Sequence, residues 1–473
     1  MQKRTILWYM TFWGFGMNFM LRMNLNIAIV SMVRNSVKTS NDKFKTELYE
    51  NYSFANASLS INASAHNNNH VFEWDEHQQN TVMGAFFWLH MVLQIPGGML
   101  AQKFGAKSIF GFSNGLVALL TCAIPVTAKN NFVALLVLRV VQGLVAGTAW
   151  PAMHSMTGKW IPADERSRFV SAYLGSSFGT AMTYMVCGYL IESLGWESVF
   201  YITGLIGLLW HGLWTYLIYD TPGIHPTISE KERKYIEDSL GNDVVKNVSS
   251  KIPWRSITTS VPLIVNIVSQ IGYNWGMYTL CLQAPTYFKF VLGFDLKRTG
   301  FWSGIPYLFL WPFSFTFGCA CDYLIKANIM SITNVRKLAC VFSNIVHGLF
   351  ILTLSFAGYN DVLVIFSMVS AVVVSGAISS GALPGIVDLA PNHAGVLQGI
   401  NGTIVNCCIS ISPYIVGLIT FQQQTIEQWK KVFVVSATVC FITGIAFLLF
   451  GSCEIQKWNN DEQKDKKEIK PMV

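Results

Sequence analysis

Two arginines stand where a charge is costly. Arg22 interrupts the apolar run 6–33, and Arg139 interrupts the run 132–155. A cation at the centre of a membrane helix costs about 2.5–3.5 kcal/mol on insertion scales, so each needs a reason to be there. No Asp or Glu lies in the middle of any apolar run to pair with them. Snorkelling, or pairing with carbonyl dipoles, is the structural alternative. A guanidinium, however, presents a planar fork that fits carboxylate or phosphate bidentately. Two such forks without acids point to an anionic ligand. At 1.5 Å per residue, Arg22 lies roughly 24 Å from the start of its run and Arg139 roughly 10 Å from the opposite side. Across a hydrocarbon core of ~30 Å, both can face one space.

Weaker candidates surround them. Asn18, Asn24 and Asn26 flank Arg22, while Gln94, Gln142, Tyr273 and Asn274 could line the same space; each alone is as readily interhelical glue. His90 and His154 could carry protons. The aromatic runs Phe86-Phe87-Trp88 and Tyr273-Asn274-Trp275 read as core first. The ten cysteines sit in or beside apolar segments without ligand spacing, so free thiols are expected rather than a disulfide framework or zinc site.

What must position these residues is a stack of membrane helices. Hydrophobic types make up 52% of the 473 residues and charged types 12%, with mean hydropathy +0.40. Soluble domains carry roughly 25% charged residues, so a water-soluble fold is excluded. Runs of about 20 apolar residues give twelve spans, at 6–33, 79–101, 108–128, 132–155, 169–192, 197–218, 259–290, 299–320, 337–358, 361–383, 394–420 and 432–452. The first holds Arg22 and lacks a small-residue cleavage site, so it is not a cleavable signal. The polar loop 34–78 carries the sequons Asn51-Tyr-Ser, Asn56-Ala-Ser and Asn62-Ala-Ser. With the N-terminus inside, Lys and Arg fall about two to one on the inner side, and Lys231, Arg233, Lys234, Lys246, Lys251 and Arg255 of the central linker contribute most strongly. Both termini are then expected in the cytosol, and the three sequons on the glycosylation-competent side. Asn401 and Asn247 are expected to stay bare.

The turn after the second span of each half repeats. The first copy runs from Gly98 through Gln102 to Gly105, and the second from Gly318 to Asp322. The expected fold is an all-α membrane protein of the major facilitator kind, with twelve transmembrane helices in two six-helix halves and binding at their interface near the midplane. The expected divisions are a first half 1–218, a cytosolic linker 219–258, a second half 259–452 and a cytosolic tail 453–473. Gly98, Gln102, Gly105 and Asp322 are its gating motif. An enzyme is not expected, since no nucleophile–base pair or metal spacing appears. Twelve spans exclude a seven-span receptor, and no pore motif or charged ring suggests a channel.

At these residues the chain resembles the sodium/phosphate cotransporter, sialin and vesicular glutamate transporter group of the major facilitators. The matching strings run through nearly the whole chain, from Leu21-Arg22-Met-Asn24, Gln94-Ile-Pro96-Gly97-Gly98 and Arg139-Val-Val-Gln142-Gly143 to Tyr273-Asn274-Trp275 and Asp388-Leu-Ala-Pro391. The resemblance implies secondary-active anion transport, with Arg22 and Arg139 as substrate-contacting arginines; Asn24, Gln142, Tyr273 and Asn274 are further binding candidates by their place in the spans. The chain also departs from the group. Ala146 stands where the glutamate and sialic-acid branches have a Glu, Met83 and Tyr273 where the glutamate branch has a His and an Arg, and Ile386 where a His lies near the end of the tenth span. Missing titratable groups weaken proton coupling, so the expectation is sodium-dependent cotransport of inorganic phosphate or an organic anion, with sodium as the only ion needed and no other cofactor. The alternative is a proton-coupled or potential-driven carrier of sialic acid- or glutamate-like anions in lysosomes or vesicles. Expected partners are a small anion, sodium and the lipid bilayer, with no nucleic acid, acting as a monomer. An inner N-terminal tail too short for an acidic dileucine signal points to the plasma membrane.

Overall fold

A computed structural model describes residues 2–33, 72–161, 169, 171–240, 253–390 and 394–459. The sequons at Asn51, Asn56 and Asn62, most of loop 34–78, Asn247 and the tail beyond residue 459 lie outside the described residues.

Among the described residues the fold is all helical, apart from one isolated bridge between Val33 and Phe72. Twelve helical segments are long enough to span: α1 (Lys3–Met32), α2 (Glu76–Trp88 with Gln94–Phe104), α3 (Ala106–Asn130), α4 (Phe132–Ala146 with Ala149–Trp160), α5 (Gly175–Leu194), α6 (Trp196–Leu217), α7 (Val261–Thr286), α8 (Leu296–Lys326), α9 (Ile332–Leu354), α10 (Asp361–Ser375 with Ala382–Leu389), α11 (Ala394–Ile419) and α12 (Ile426–Phe450). Seven of these segments would be taken as membrane spans on length and composition alone. The others are interrupted or diluted, as α1 is by Asn18, Arg22, Asn24 and Asn26.

Polar side chains fix where the helices begin. Asp75 and Gln78 form a reciprocal capping box at α2. Asn131, Asp295, Ser331, Asn360 and Thr425 accept from the first turns of α4, α8, α9, α10 and α12. Each satisfies a backbone N–H that lipid could not. Several spans are broken within the bilayer. α2 opens into a turn over residues 89–93, α10 tightens into a 3-10 turn over Gly376–Ser380, and α9 contains the π-helix Val341–Val346. The linker forms the helix Glu230–Leu240. Its Glu232 carboxylate accepts from the backbone N–H groups of Lys3 and Arg4, holding the start of α1.

The halves meet where α5 packs on α8, α2 on α11 and α1 on α7. Small residues permit this approach, as with Gly188 against Gly300. Polar links also cross between the halves at the end of the bundle remote from the linker. Lys297 pairs with Glu192 at 3.0 Å, the Gln422 N–H donates to Glu76 at 2.8 Å, Gln283 donates to Asn80, and the Tyr184 hydroxyl donates to the Cys281 carbonyl. This remote end is latched shut.

Candidate functional site

Arg22 on α1 and Arg139 on α4 meet between α2 and α7. α4 reaches this position because Gly143 lies directly against the backbone of α2, where a Cβ would overlap the Phe86 carbonyl. Arg139 is 1% exposed and firmly held: its Nη1 donates to Gln142 Oε1 at 3.1 Å and its Nη2 to the Arg22 carbonyl at 3.2 Å. Gln142 is in turn tied to α3, donating to Thr121 Oγ1 at 3.0 Å.

Arg22 is held differently. Its guanidinium carbon lies 4.3 Å from the ring centre of Phe87, 5.2 Å from Phe19 and 5.3 Å from both Phe86 and Tyr278. Phe86 also stacks near Arg139, at 5.0 Å. Tyr278 comes from α7, so the cage is completed by the opposite half. Neither arginine has an ion pair among the described residues, and the Nε of each is buried without a partner. A cation–π contact is worth about 0.5–2 kcal/mol, which offsets only part of the several kcal/mol needed to bury an ion. The residual demand for negative charge is what an incoming anion would meet. The cage leaves Arg22 4% exposed, so an aromatic ring has to move before an anion can reach it.

Other expected residues fall elsewhere. Asn24 is fully buried and donates to Thr203 on α6 at 3.0 Å. Asn18 donates to Asn114 on α3 and Asn26 to Tyr184 on α5, so the α1 amides bind helices together. Gln142 braces Arg139 from behind. Tyr273 packs near Cys340 and Ile378 within the second half, and Asn274 donates to the Gln270 carbonyl of its own helix at 2.8 Å. Five helical residues separate Tyr273 from Tyr278, about 140° of rotation at 3.6 residues per turn. The second tyrosine therefore faces Arg22 where the first does not. Tyr278 was legible only as the residue one turn beyond Asn274. Met83, Ala146 and Ile386 lie in apolar packing. His90 is buried, its Nδ1 3.0 Å from the Gly143 carbonyl, whereas His154 is exposed beside Tyr173.

The repeat is built differently in its two copies. Gly105 has φ +90° and lies against Asp220, whose carboxylate accepts from the Lys107 N–H at the start of α3 and pairs with Lys159 at 2.9 Å. The acid at this turn thus comes from the end of α6, while Gln102 belongs to the end of α2. A Cβ at Gly98 would make only ordinary contact with Pro151. α8 continues to Lys326, which leaves Asp322 exposed within a helix and without an ion pair among the described residues. Arg336 and Asp388, 2.9 Å apart, link α9 to α10 instead.

Twelve helices in two halves, with buried cations where the halves meet, define a major facilitator transporter. Residues 11–330 match the Major Facilitator Superfamily. The chain is 34% identical to vesicular glutamate transporter 1 of Xenopus tropicalis over 465 residues, covering 98% of this chain and 77% of the relative. It is 33% identical to human sialin over 450 residues, covering 95% and 89%. A bacterial homolog of the human lysosomal transporter Spinster shares the fold with TM-score 0.67 at 12% identity, over 94% and 96% of the two chains. The chain belongs to the vesicular glutamate transporter and sialin group of this superfamily, and is a secondary-active transporter of a small anion embedded in lipid, not an enzyme.

Two expectations are corrected by these relatives. Sodium coupling rested on titratable groups missing at Met83, Ala146 and Ile386, yet relatives matched along nearly the whole chain include vesicular glutamate transporters and sialin, and sodium coupling does not stand against them. A missing proton carrier at three positions supplies no sodium ligands. The plasma-membrane assignment is overturned likewise by relatives named for vesicles. It had rested on the lack of a sorting signal, and such a lack identifies no membrane.

Proposed function

We propose that this protein carries a small organic anion, of the glutamate or sialic acid type, across a vesicular or lysosomal membrane, driven by a proton gradient or by membrane potential. The observation that carries the reading is the pair of buried guanidiniums without a carboxylate partner where the halves meet. Its likeness to the vesicular glutamate transporters and sialin supports an organic anion over inorganic phosphate. In this reading the linker end faces the cytosol with both termini, loop 34–78 faces the lumen with Asn51, Asn56 and Asn62 glycosylated, and the halves 1–218 and 259–452 rock about the site. Arg22 takes the anion bidentately when Tyr278 and Phe87 give way. Arg139, held by Gln142, supplies the second positive charge. Neutralising both removes the cost of keeping charge in the closed interface, and that change biases the halves to move.

Reconstituted protein tests this. Labelled glutamate and N-acetylneuraminate should enter proteoliposomes in response to an imposed pH gradient or potential, unchanged when choline replaces sodium. Uptake of phosphate alone, with no response to either organic anion, would overturn the substrate class.

A further inference from the structure

The second half holds a buried titratable group that the anion site does not use. His347 on α9 is 0% exposed, and its Nδ1 lies 2.7 Å from the Ala371 carbonyl of α10. A carbonyl can only accept, so Nδ1 carries the hydrogen and the lone pair is on Nε2. Nε2 is buried and has no partner. It points at Gly276 on α7, where any Cβ would press on the imidazole. The nearest titratable neighbours are thiols: Cys440 on α12, whose Sγ donates to the Gly272 carbonyl, and Cys340 two turns back on α9. Tyr273 lies one turn away on α7, α10 contributes the Ala371 carbonyl, and among the described residues no charged side chain acts on the ring. His90, by contrast, sits in the field of Arg22, where an added proton would place two cations side by side.

His347 also ends a line of polar groups. From the linker end, α7 presents Asn266, then Ser269 and Gln270 about one turn on, and then Gly276 two turns beyond Ser269 on the same face. Gln270 donates to Asn266 at 3.0 Å and accepts from Asn401 of α11 at 2.9 Å, while Asn344 donates to Ser269 Oγ at 2.9 Å. Along this line Asn266 Nδ2, Asn401 Oδ1, Ser343 Oγ and Asn344 Oδ1 are buried without a protein partner. Such atoms are met by internal water, which is how protons cross apolar protein. Ser343 and Asn344 lie in the π-helix of α9, and π-segments recur at functional sites.

We infer that His347 is a proton-binding site of the second half, reached from the linker end along the polar face of α7 and coupling proton movement to anion transport. This deepens the proton-driven branch of the proposed function and rests on it. Nε2 takes up a proton through this line from one side of the membrane and returns it to the other side when the halves rock. Nδ1–H stays on Ala371 throughout.

The test compares two readouts in proteoliposomes with labelled glutamate: accumulation driven by an imposed pH gradient, and exchange without any gradient. His347→Asn can keep a donor to Ala371 but cannot titrate. It should lose about tenfold or more of gradient-driven accumulation while exchange stays within about threefold of the unmodified protein. His347→Gln should behave the same way. Gradient-driven accumulation equal to the unmodified protein in both variants overturns the assignment, and so does a parallel loss of exchange in both, which marks a packing role. An unmodified protein whose accumulation ignores the pH gradient overturns the proton-driven reading first, and this assignment with it.

Discussion

The two halves answer the membrane in opposite ways. The first puts permanent charge at its centre and holds it rigidly: Arg139 is bonded to Gln142 and to the backbone of α1, and Arg22 is packed among Phe19, Phe86 and Phe87. The second puts uncharged amides and an imidazole at its centre, on helices that leave regular α geometry at Tyr287–Val291, Val341–Val346 and Gly376–Ser380. Recognising an anion requires charge already aimed, because reorganising around a bound ion would consume the gain. Moving between conformations requires segments whose backbone can shift. Recognition is thus assigned to the first half, with Tyr278 the one ring of the second half in the cage, while segments that can shift occur in both halves, as at 89–93 of α2.

If recognition belongs to the first half, its arginines should dominate. Arg22→Ala should lower transport of labelled glutamate about a hundredfold or more, comparable to losing a positioned charge partner, with membrane expression unchanged. Arg22→Lys should recover only part of the rate, since an ammonium lacks the fork. Arg139→Ala should lower transport as severely and also lower the melting temperature, because Arg139 ties α4 to α1 as well as offering charge. Equal effects of the two alanine variants on stability would erase the distinction between a held and a waiting arginine.

The bracing of Arg139 sharpens the comparison at the next level. Gln142→Leu removes an acceptor from a buried guanidinium and a donor to Thr121. A hydrogen bond to a charged group contributes about 1.5–3 kcal/mol, so KM should rise about tenfold with kcat less affected. A change in kcat alone would place Gln142 in the moving parts.

Much of this was legible in the chain, and the limit is physical. A charge in an apolar run is visible in any sequence, so Arg22 and Arg139 stood out. Runs of apolar residues gave twelve spans, though the helices outlast them: α8 continues past its apolar run to Lys326 and α12 starts at Ile426. The breaks were legible only from their flanks, Pro96 after one and Gly376 with Gly381 around another. Residues 89–93 carry no Pro or Gly, and nothing in Val341-Phe-Ser-Asn-Ile-Val346 marks a π-helix. Nor was the rotation of α7 legible; it decides between Tyr273 and Tyr278 and is set by packing on α1 and α12. His347 is not legible in the chain, because its orphaned nitrogen exists only in three dimensions. The sodium and plasma-membrane readings failed for another reason, since both were drawn from residues that were not there.

Tyr278 tests the one point where the halves share the site. Tyr278→Phe keeps a ring over Arg22 and should leave KM within about twofold, since the cation–π contribution survives. Tyr278→Ala opens the cage and should change KM about three- to tenfold, the effect of one partly desolvated cation–π contact. A large loss in the Phe variant would mean that the hydroxyl touches the anion.

The smallest effect should come from the remote latch. Lys297 and Glu192 join α8 to α5 at 3.0 Å, but their side chains are 52% and 41% exposed. Water and salt screen such a pair, and exposed pairs contribute little. Glu192→Gln should therefore change the initial transport rate by less than about twofold, an effect that shrinks further at high salt. Tyr184→Phe acts at the same interface but in its buried layer, leaving the Cys281 carbonyl and the Asn26 amide without their shared hydroxyl. It should change the rate several-fold more than Glu192→Gln, because a buried polar group left unsatisfied costs about 1–3 kcal/mol. The reverse order would mean that surface charge, rather than the buried polar layer between α1, α5 and α7, holds the halves together at that end.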